Sequence, residues 1–278
     1  MNTEASKKYV VSPGEVTRPE AKVIPVSARR DVVSLDSSAV PGSIFTKVGW
    51  YISDLEVPGL RAHRSDEVLM FLGSDFDHPE RLNAVIELQI ENDILTLDKT
   101  CAVYIPGGAA HGNIKVRGME KPIMYCCCHP FASAFEESPA EATAPKGLYA
   151  KNYVDEYDTT GVQLPNVGEG VITRLYYLDS SRVPGAPYFE SVWFNNTPAF
   201  LPAHTHPFDE VIFFAGSDPE HPEDLGGTII FNVDDEPIEI TKSSLIFCPA
   251  GLIHNPFEIR DLKRPVLHFT GGNSVKYN

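Results

Sequence analysis

Apolar residues recur along this chain in short runs with the period of a β-strand rather than a helix. Val85-Ile86-Glu87-Leu88-Gln89-Ile90 alternates imperfectly between apolar and polar positions, and Thr228-Ile229-Ile230-Phe231-Asn232-Val233 has the same character. Pro122-Ile123-Met124-Tyr125-Cys126 and Pro265-Val266-Leu267-His268-Phe269 form a matched late pair. Turn signals separate the runs, among them Asp93, Gly226-Gly227 and Asp234-Asp235. No long amphipathic helix is found. Many short, evenly spaced strands predict an all-β chain built as a sandwich or closed barrel.

The matched runs belong to a larger repeat at a fixed, ungapped offset of 143 residues. Leu35-Asp36-Ser37-Ser38 returns as Leu178-Asp179-Ser180-Ser181, and Val40-Pro41-Gly42 as Val183-Pro184-Gly185. Trp50 matches Trp193, Asp66-Glu67-Val68 matches Asp209-Glu210-Val211, and His78-Pro79-Glu80 matches His221-Pro222-Glu223. Pro106, Gly108 and His111 match Pro249, Gly251 and His254. So many identities at one offset mark a tandem duplication, covering about residues 31–130 and 174–273. The Ala-, Glu- and Pro-rich stretch from Ala132 to Gly147 reads as a linker. The first thirty residues have no counterpart and read as an arm that packs on a partner or stays mobile. The expected organisation is an arm over 1–30, a first domain over 31–131, a linker over 132–150 and a second domain over 151–278.

Composition narrows the function. In 278 residues, 42% are apolar, enough for real cores, and the formal net charge is −15. An acidic surface repels phosphate backbones, so nucleic acid is not an expected partner. No apolar stretch is long enough for a membrane span. The N-terminal MNTEASKKYVVSPGEV has no apolar core of the signal-peptide kind. Five cysteines, three of them consecutive, do not make a disulfide framework, so a cytoplasmic location is expected. Sheet edges leave room for a homo-oligomer.

The second copy carries a constellation with metal chemistry. In His204-Thr205-His206-Pro207-Phe208-Asp209-Glu210, the two histidines share one face of an extended segment, and Glu210 has the same parity although Pro207 can bend the path. Further along, Pro249-Ala250-Gly251 sets a tight turn before His254. Three imidazoles and a carboxylate suit Fe, Mn, Ni, Zn or Cu rather than Ca or Mg.

The HxHxxxE and PxGxxH stretches resemble the two motifs of the cupin superfamily, and Gly216 fits the glycine that closes the first motif. The second motif lacks its usual opening glycine, and Asn255 follows His254 at once rather than a few residues later. Because both copies carry the pattern, the chain resembles a bicupin. The resemblance implies two tandem antiparallel jelly-roll barrels. It also implies one divalent transition metal, Fe or Mn by preference, held in the second barrel by His204, His206, Glu210 and His254.

The first copy departs from the pattern. Arg61, His63, Glu67 and His111 stand opposite His204, His206, Glu210 and His254. An arginine stays protonated and has no lone pair for a metal. Two readings stand: His63, Glu67 and His111 form a two-histidine, one-carboxylate metal face, or Arg61 replaces the lost metal charge, pairing with Glu67 or holding an anion. The sequence favours the second.

Other features carry weaker chemistry. The repeated Gly-Ser-Asp-x-x-His-Pro-Glu stretch reads as turn chemistry, or as a rim loop offering His78 or His221 as acid or base. In Cys126-Cys127-Cys128-His129, neighbours on a strand point to opposite faces, so at most Cys126 and Cys128 share a site, and these cysteines and Cys248 read as core. His268 is a second-shell or substrate group if it faces inward. Tyr51 and Trp193 read as core aromatics. The expected function is a metal-dependent enzyme acting on a small oxygen-rich organic molecule, with a dioxygenase leading. The alternatives are a decarboxylase, isomerase or hydrolase of a small carbonyl compound, or a non-catalytic binding or storage bicupin.

Overall fold

The computed structural model describes residues 8–14, 26–160, 170–197, 200–234 and 236–277. Most of the N-terminal arm, and Asp235 of the Asp234-Asp235 turn signal, lie outside them. The chain is all-β, with antiparallel pairing throughout the named sheets. Ten strands lead: β1 (Val10–Val11), β2 (Arg29–Leu35), β3 (Phe45–Tyr51), β4 (Leu55–Ala62), β5 (Glu67–Gly73), β6 (Arg81–Ile90), β7 (Asp93–Lys99), β8 (Cys101–Ile105), β9 (His111–Arg117) and β10 (Ile123–His129). Two short ones follow, β11 (Ser138–Pro139) and β12 (Tyr153–Val154). The rest are β13 (Ile172–Leu178), β14 (Phe189–Phe194), β15 (Phe200–Leu201), β16 (Glu210–Gly216), β17 (Asp224–Val233), β18 (Glu236–Lys242), β19 (Ser244–Cys248), β20 (His254–Arg260) and β21 (Val266–Gly272).

These strands form four sheets, in the orders β12-β8-β5-β10-β3-β2, β11-β4-β9-β6-β7, β1-β19-β16-β21-β14-β13 and β15-β20-β17-β18. The repeat persists in the register: Glu67 opposes Ile105, and Glu210 opposes Cys248.

Two burial patterns explain the layering. In β6 every second residue is buried (Leu82, Ala84, Ile86, Leu88, Ile90), as in a strand with one wet face. In β5 and β16 all seven residues are buried. Those strands lie in the six-stranded sheets, and both faces of these sheets are covered. Val68, Met70 and Leu72 pack with Val211, Phe213 and Ala215 in one layer between the two copies. Leu69 and Phe71 point into the first copy's own core, and Ile212 and Phe214 into the second's. Glu67 and Glu210 share the parity of these inward residues, so both carboxylates are delivered to the interior of their own copy. Trp193 lies in the shared layer, and Tyr51 stacks on Tyr125 at 4.4 Å between centroids, both as core residues.

The leading segments of the two copies change places. Val10 and Val11 pair with Ile246 and Leu245 of the second copy, while Tyr153 and Val154 pair with Val103 and Ala102 of the first. All four pairings match at the repeat offset, so the duplication extends beyond the stretch visible in the residue identities. The described part of the arm therefore neither hangs free nor waits for a partner; Val11 is buried in the shared layer.

The linker is also tied down. Glu91 accepts the backbone N–H groups of Ala110, Thr143 and Ala144 at 2.7, 2.6 and 2.9 Å, and Asp93 accepts those of Gly147 and Tyr149. β11 pairs with Ala62 and Arg61. Among the described residues, no helix is long and apolar enough to cross a membrane.

Candidate metal centre

The two motifs of the second copy are pinned together by backbone geometry. His204 and His254 exchange backbone hydrogen bonds across an isolated bridge, N–H to O at 3.0 and 3.1 Å. Gly251 N–H donates to His206 O, and Ala250 N–H donates to Asp209 Oδ1. Gly251 sits at φ +81°, a conformation glycine adopts without strain, which lets the turn fold back against His206. The same contacts recur in the first copy through Gly108 N–H to His63 O and Gly107 N–H to Asp66 Oδ1.

One sequence expectation needs correction here. His204 and Glu210 do not share a strand face. The chain leaves the four-stranded sheet at His204, bends at Pro207, and joins the six-stranded sheet at Glu210. The four side chains converge because the two sheets face one another across the interior, not because they share strand parity.

The four side chains meet tightly. His206 Nε2 and His254 Nε2 each lie 3.1 Å from Glu210 Oε2. The ring nitrogens of His204, His206 and His254 lie within 4.8 Å of one another. His206, Glu210 and His254 are buried, and His204 is half-buried. Each imidazole is oriented through its far nitrogen: Nδ1–H of His204, His206 and His254 donates to the carbonyls of Pro202, Phe208 and Leu252. That fixes the tautomer with the Nε2 lone pair directed inward. His254 Nε2 is fully buried against Glu210 Oε2, in the position of a donor meant for a cation. The donor set and its orientation fit a divalent transition metal.

Electrostatics point the same way. Burial pushes the Glu210 carboxyl up, but the hydrogen bonds and charges of His206 and His254 outweigh it and hold the group far below the usual carboxylate range. Burial lowers His204. In His206 burial is outweighed by the hydrogen bond and charge of Glu210, which raise it. Thr270 Oγ1 donates to Glu210 Oε1 at 2.7 Å, leaving Oε2 toward the histidines.

His204 and Glu210 line a pocket whose walls include Ile212, Phe194, Phe231 and Phe257. His268 also lines it, so this histidine faces inward; it stacks on Phe214, and its Nδ1–H donates to Phe213 O at 3.1 Å. Burial pushes His268 down to about 4. The pocket holds groups that the sequence reading missed. Exposed Arg174 lines it, and so does Glu190, which accepts the hydroxyls of Tyr157 and Tyr188. Burial raises the Glu190 carboxyl, with the two hydroxyls opposing. A lone acid inside Phe189-Glu190-Ser191-Val192-Trp193-Phe194, an otherwise core-forming run, was the available signal.

In the first copy, His63, Glu67 and His111 also meet, all buried. His111 Nε2 lies 2.7 Å and His63 Nε2 3.5 Å from Glu67 Oε2. Arg61 is the member that turns elsewhere: its Nε lies 3.4 Å from Glu137 Oε2 of the linker, and the pairing with Glu67 considered from the sequence is not formed. His129, at the end of β10, comes within 3.8 Å of Glu67 Oε1, and Cys127 donates its thiol to the same oxygen at 3.0 Å. Cys126 and Cys128 pack in the layer between the copies, and Cys101 and Cys248 are buried in the copy interiors. His78 and His221 sit on exposed turns and line no part of the pocket; His221 pairs with Asp218.

No protein-family model matches the chain, and no curated protein sequence does. Solved structures do. Protein Ylba from E. coli superposes with a TM-score of 0.54 at 11% identity, over 98% of this chain and 93% of that one. A variant of oxalate decarboxylase from Bacillus subtilis superposes with a TM-score of 0.62 at 11% identity, over 97% and 78%. The same enzyme at pH 4.6 gives a TM-score of 0.62 at 10% identity, over 97% and 77%. These neighbours are cupin-type proteins, and at such identities the likeness establishes the fold.

Proposed function

We propose that the chain is a metal-dependent enzyme of two tandem cupin barrels, over residues 31–131 and 151–278, that acts on a small oxygen-rich organic molecule at His204, His206, Glu210 and His254. The carrying observation is the convergence of these four donors at a pocket with apolar walls, a cation and a buried acid. When bound, an Fe- or Mn-type ion supplies Lewis-acid polarisation of a substrate oxygen. The protein's own groups divide the remaining work. Arg174 draws in a carboxylate, Phe194, Phe231 and Phe257 exclude water from its apolar body, and Glu190, raised by burial, stands in the pocket as an acid–base group.

This last group moves the preference within the expected chemistries. Oxygenation does not call for an acid–base group beside the metal donors, whereas decarboxylation or isomerisation of a carbonyl acid uses one to take up or deliver a proton. Decarboxylation or isomerisation is therefore the favoured reaction class, and the likeness to oxalate decarboxylase is compatible with it at the level of fold.

The test is an assay of Mn(II)- and Fe(II)-loaded protein against small carboxylic and oxo acids, following carbon dioxide release, isomer formation and oxygen uptake together. Turnover without oxygen is expected. It should vanish with the metal in Glu210→Gln, and fall about tenfold or more in Glu190→Gln with the metal retained. Turnover that consumes oxygen stoichiometrically would return the reading to a dioxygenase. Metal uptake indifferent to Glu210→Gln and His254→Ala would remove the centre itself.

A further inference from the structure

We infer that the first copy holds a second metal ion, in a closed site made of His63, Glu67, His111 and His129, the last standing in for the histidine that Arg61 replaced. This inference is independent of the activity proposed for the second copy.

Position supplies the first argument. Arg61 cannot donate to a metal and turns to Glu137. The lost donor is replaced from another strand. His129 matches Gly272 at the repeat offset, and its neighbour Ser65 matches Phe208. In the second copy, the Phe208 ring stacks on His206 at 3.9 Å between centroids, and a Cβ at Gly272 would meet Asp209 O at 2.1 Å and Phe208 Cδ2 at 2.9 Å. In the first copy, the small Ser65 opens that space and the His129 ring fills it, edge-on to His63 at 4.5 Å. The two exchanges are complementary: each copy has three histidines and one glutamate, with one histidine moved.

Unsatisfied polarity is the second argument. His63 Nε2, Glu67 Oε2 and His111 Nε2 are all fully buried outside hydrogen-bond geometry, and both nitrogens crowd the one carboxylate oxygen, at 3.5 and 2.7 Å. A buried donor or acceptor without a well-formed partner is destabilising. Here three face one another, and one cation would satisfy them together. Donor atoms of His63, Glu67 and His129 also lie within 4.8 Å of one another. The far nitrogens are anchored as in the second copy: Nδ1–H of His63 and His111 donates to Glu136 O at 2.7 Å and Ala109 O at 2.9 Å, and His129 Nδ1 lies 3.2 Å from Ser65 Oγ.

Enclosure sets the kind of site. The four residues are at most 4% exposed. Phe135 packs against His63 and His129, and Phe45 against His129. Four buried protein donors describe a structural centre, for which Zn(II) is the natural probe. Cys127 takes the place of Thr270 as the donor that orients the glutamate.

The experiment strips the full chain with chelator, reloads it with Zn(II) alone, and measures bound zinc after desalting, alongside the melting temperature. Wild type is expected to hold two equivalents. His254→Ala should keep one, His129→Gln should keep one, and the double variant none. Zinc should raise the melting temperature of His254→Ala but not of the double variant. A rebuilt site provides a second check that does not depend on the folding of His129→Gln: Arg61→His with Ser65→Phe and His129→Gly copies the second-copy arrangement and should bind zinc again. Equal zinc in His254→Ala and the double variant would overturn the proposal. Zinc lost in His254→Ala but unchanged in His129→Gln would overturn it too, while leaving the second-copy centre standing. The converse, one equivalent lost only with His129, would uphold this site and sink the other.

Discussion

Thr270 and Cys127 occupy the same register position in the two copies, and each donates a hydrogen bond to the outer oxygen of its copy's buried glutamate, at 2.7 Å to Glu210 and 3.0 Å to Glu67. The contact leaves one carboxylate oxygen turned toward the histidines. Removing it frees the carboxylate to rotate and leaves Glu210 Oε1 without this partner. Thr270→Val should therefore lower metal affinity of the second copy by about 10–100-fold, and Thr270→Ser should preserve it. Competition with a chromogenic chelator reads both, and equal affinities would show that the hydroxyl does not orient Glu210.

Acid should destabilise the fold through His268. Burial holds this imidazole down to about 4, against an ordinary value of 6.5. Because the native group resists protonation while the unfolded one accepts it, the unfolded chain binds more protons between those values. Stability is then fully present above about 6.5 and falls as the pH drops toward 4, by up to about 1.4 kcal/mol per unit. His268→Gln should flatten that slope in urea melts of metal-free protein taken at stepped pH. An unchanged slope would mean that other groups carry the acid response.

Arm exchange predicts an asymmetry between matched valines. Val11 is buried at 3% exposure in the layer between the copies, whereas Val154 is half-buried. Val11→Ala should cost about 2 kcal/mol, and Val154→Ala clearly less. Denaturant unfolding measures both; a neutral Val11→Ala would show that the arm adds nothing to the layer.

Glu91 ties two linker N–H groups, those of Thr143 and Ala144, to the first copy, where it also accepts Ala110 N–H. Glu91→Ala should cost on the order of 3 kcal/mol, since buried donors lose a charged acceptor. Limited proteolysis should then cut between residues 132 and 147 in the variant and spare the native chain. Identical digestion patterns would place the restraint elsewhere, on the Asp93 contacts.

The sequence carried the second-copy site because its four donors sit in two short motifs whose chemistry survives without coordinates. It carried the all-β class because alternation in β6 and turn residues such as Gly226-Gly227 report local backbone preference. It did not carry His129. That residue is separated from His63 by most of the first copy, and only pairing of β10 against β5 places it there. Parity alone did put Cys127 and His129 on one face, opposite to Cys126 and Cys128, and the choice of the second pair as the one able to share a site looked at the wrong side of the strand. Glu190 and Arg174 were hidden for a different reason. A pocket wall is drawn from several strands, and no single run records it. The exchange of β1 and β12 was invisible because Val10-Val11 and Tyr153-Val154 share only one identical residue.

That exchange has a historical meaning. Two separate copies of an ancestral half, each lending its leading strand to the other, would form an arm-swapped dimer; joining them end to end gives the connectivity seen here. Neither half completes its own six-stranded sheet, so a gene encoding either alone would yield a chain with an open edge beside its central strands. Once fused, the halves were free to diverge in their ligands while remaining bound to each other's architecture.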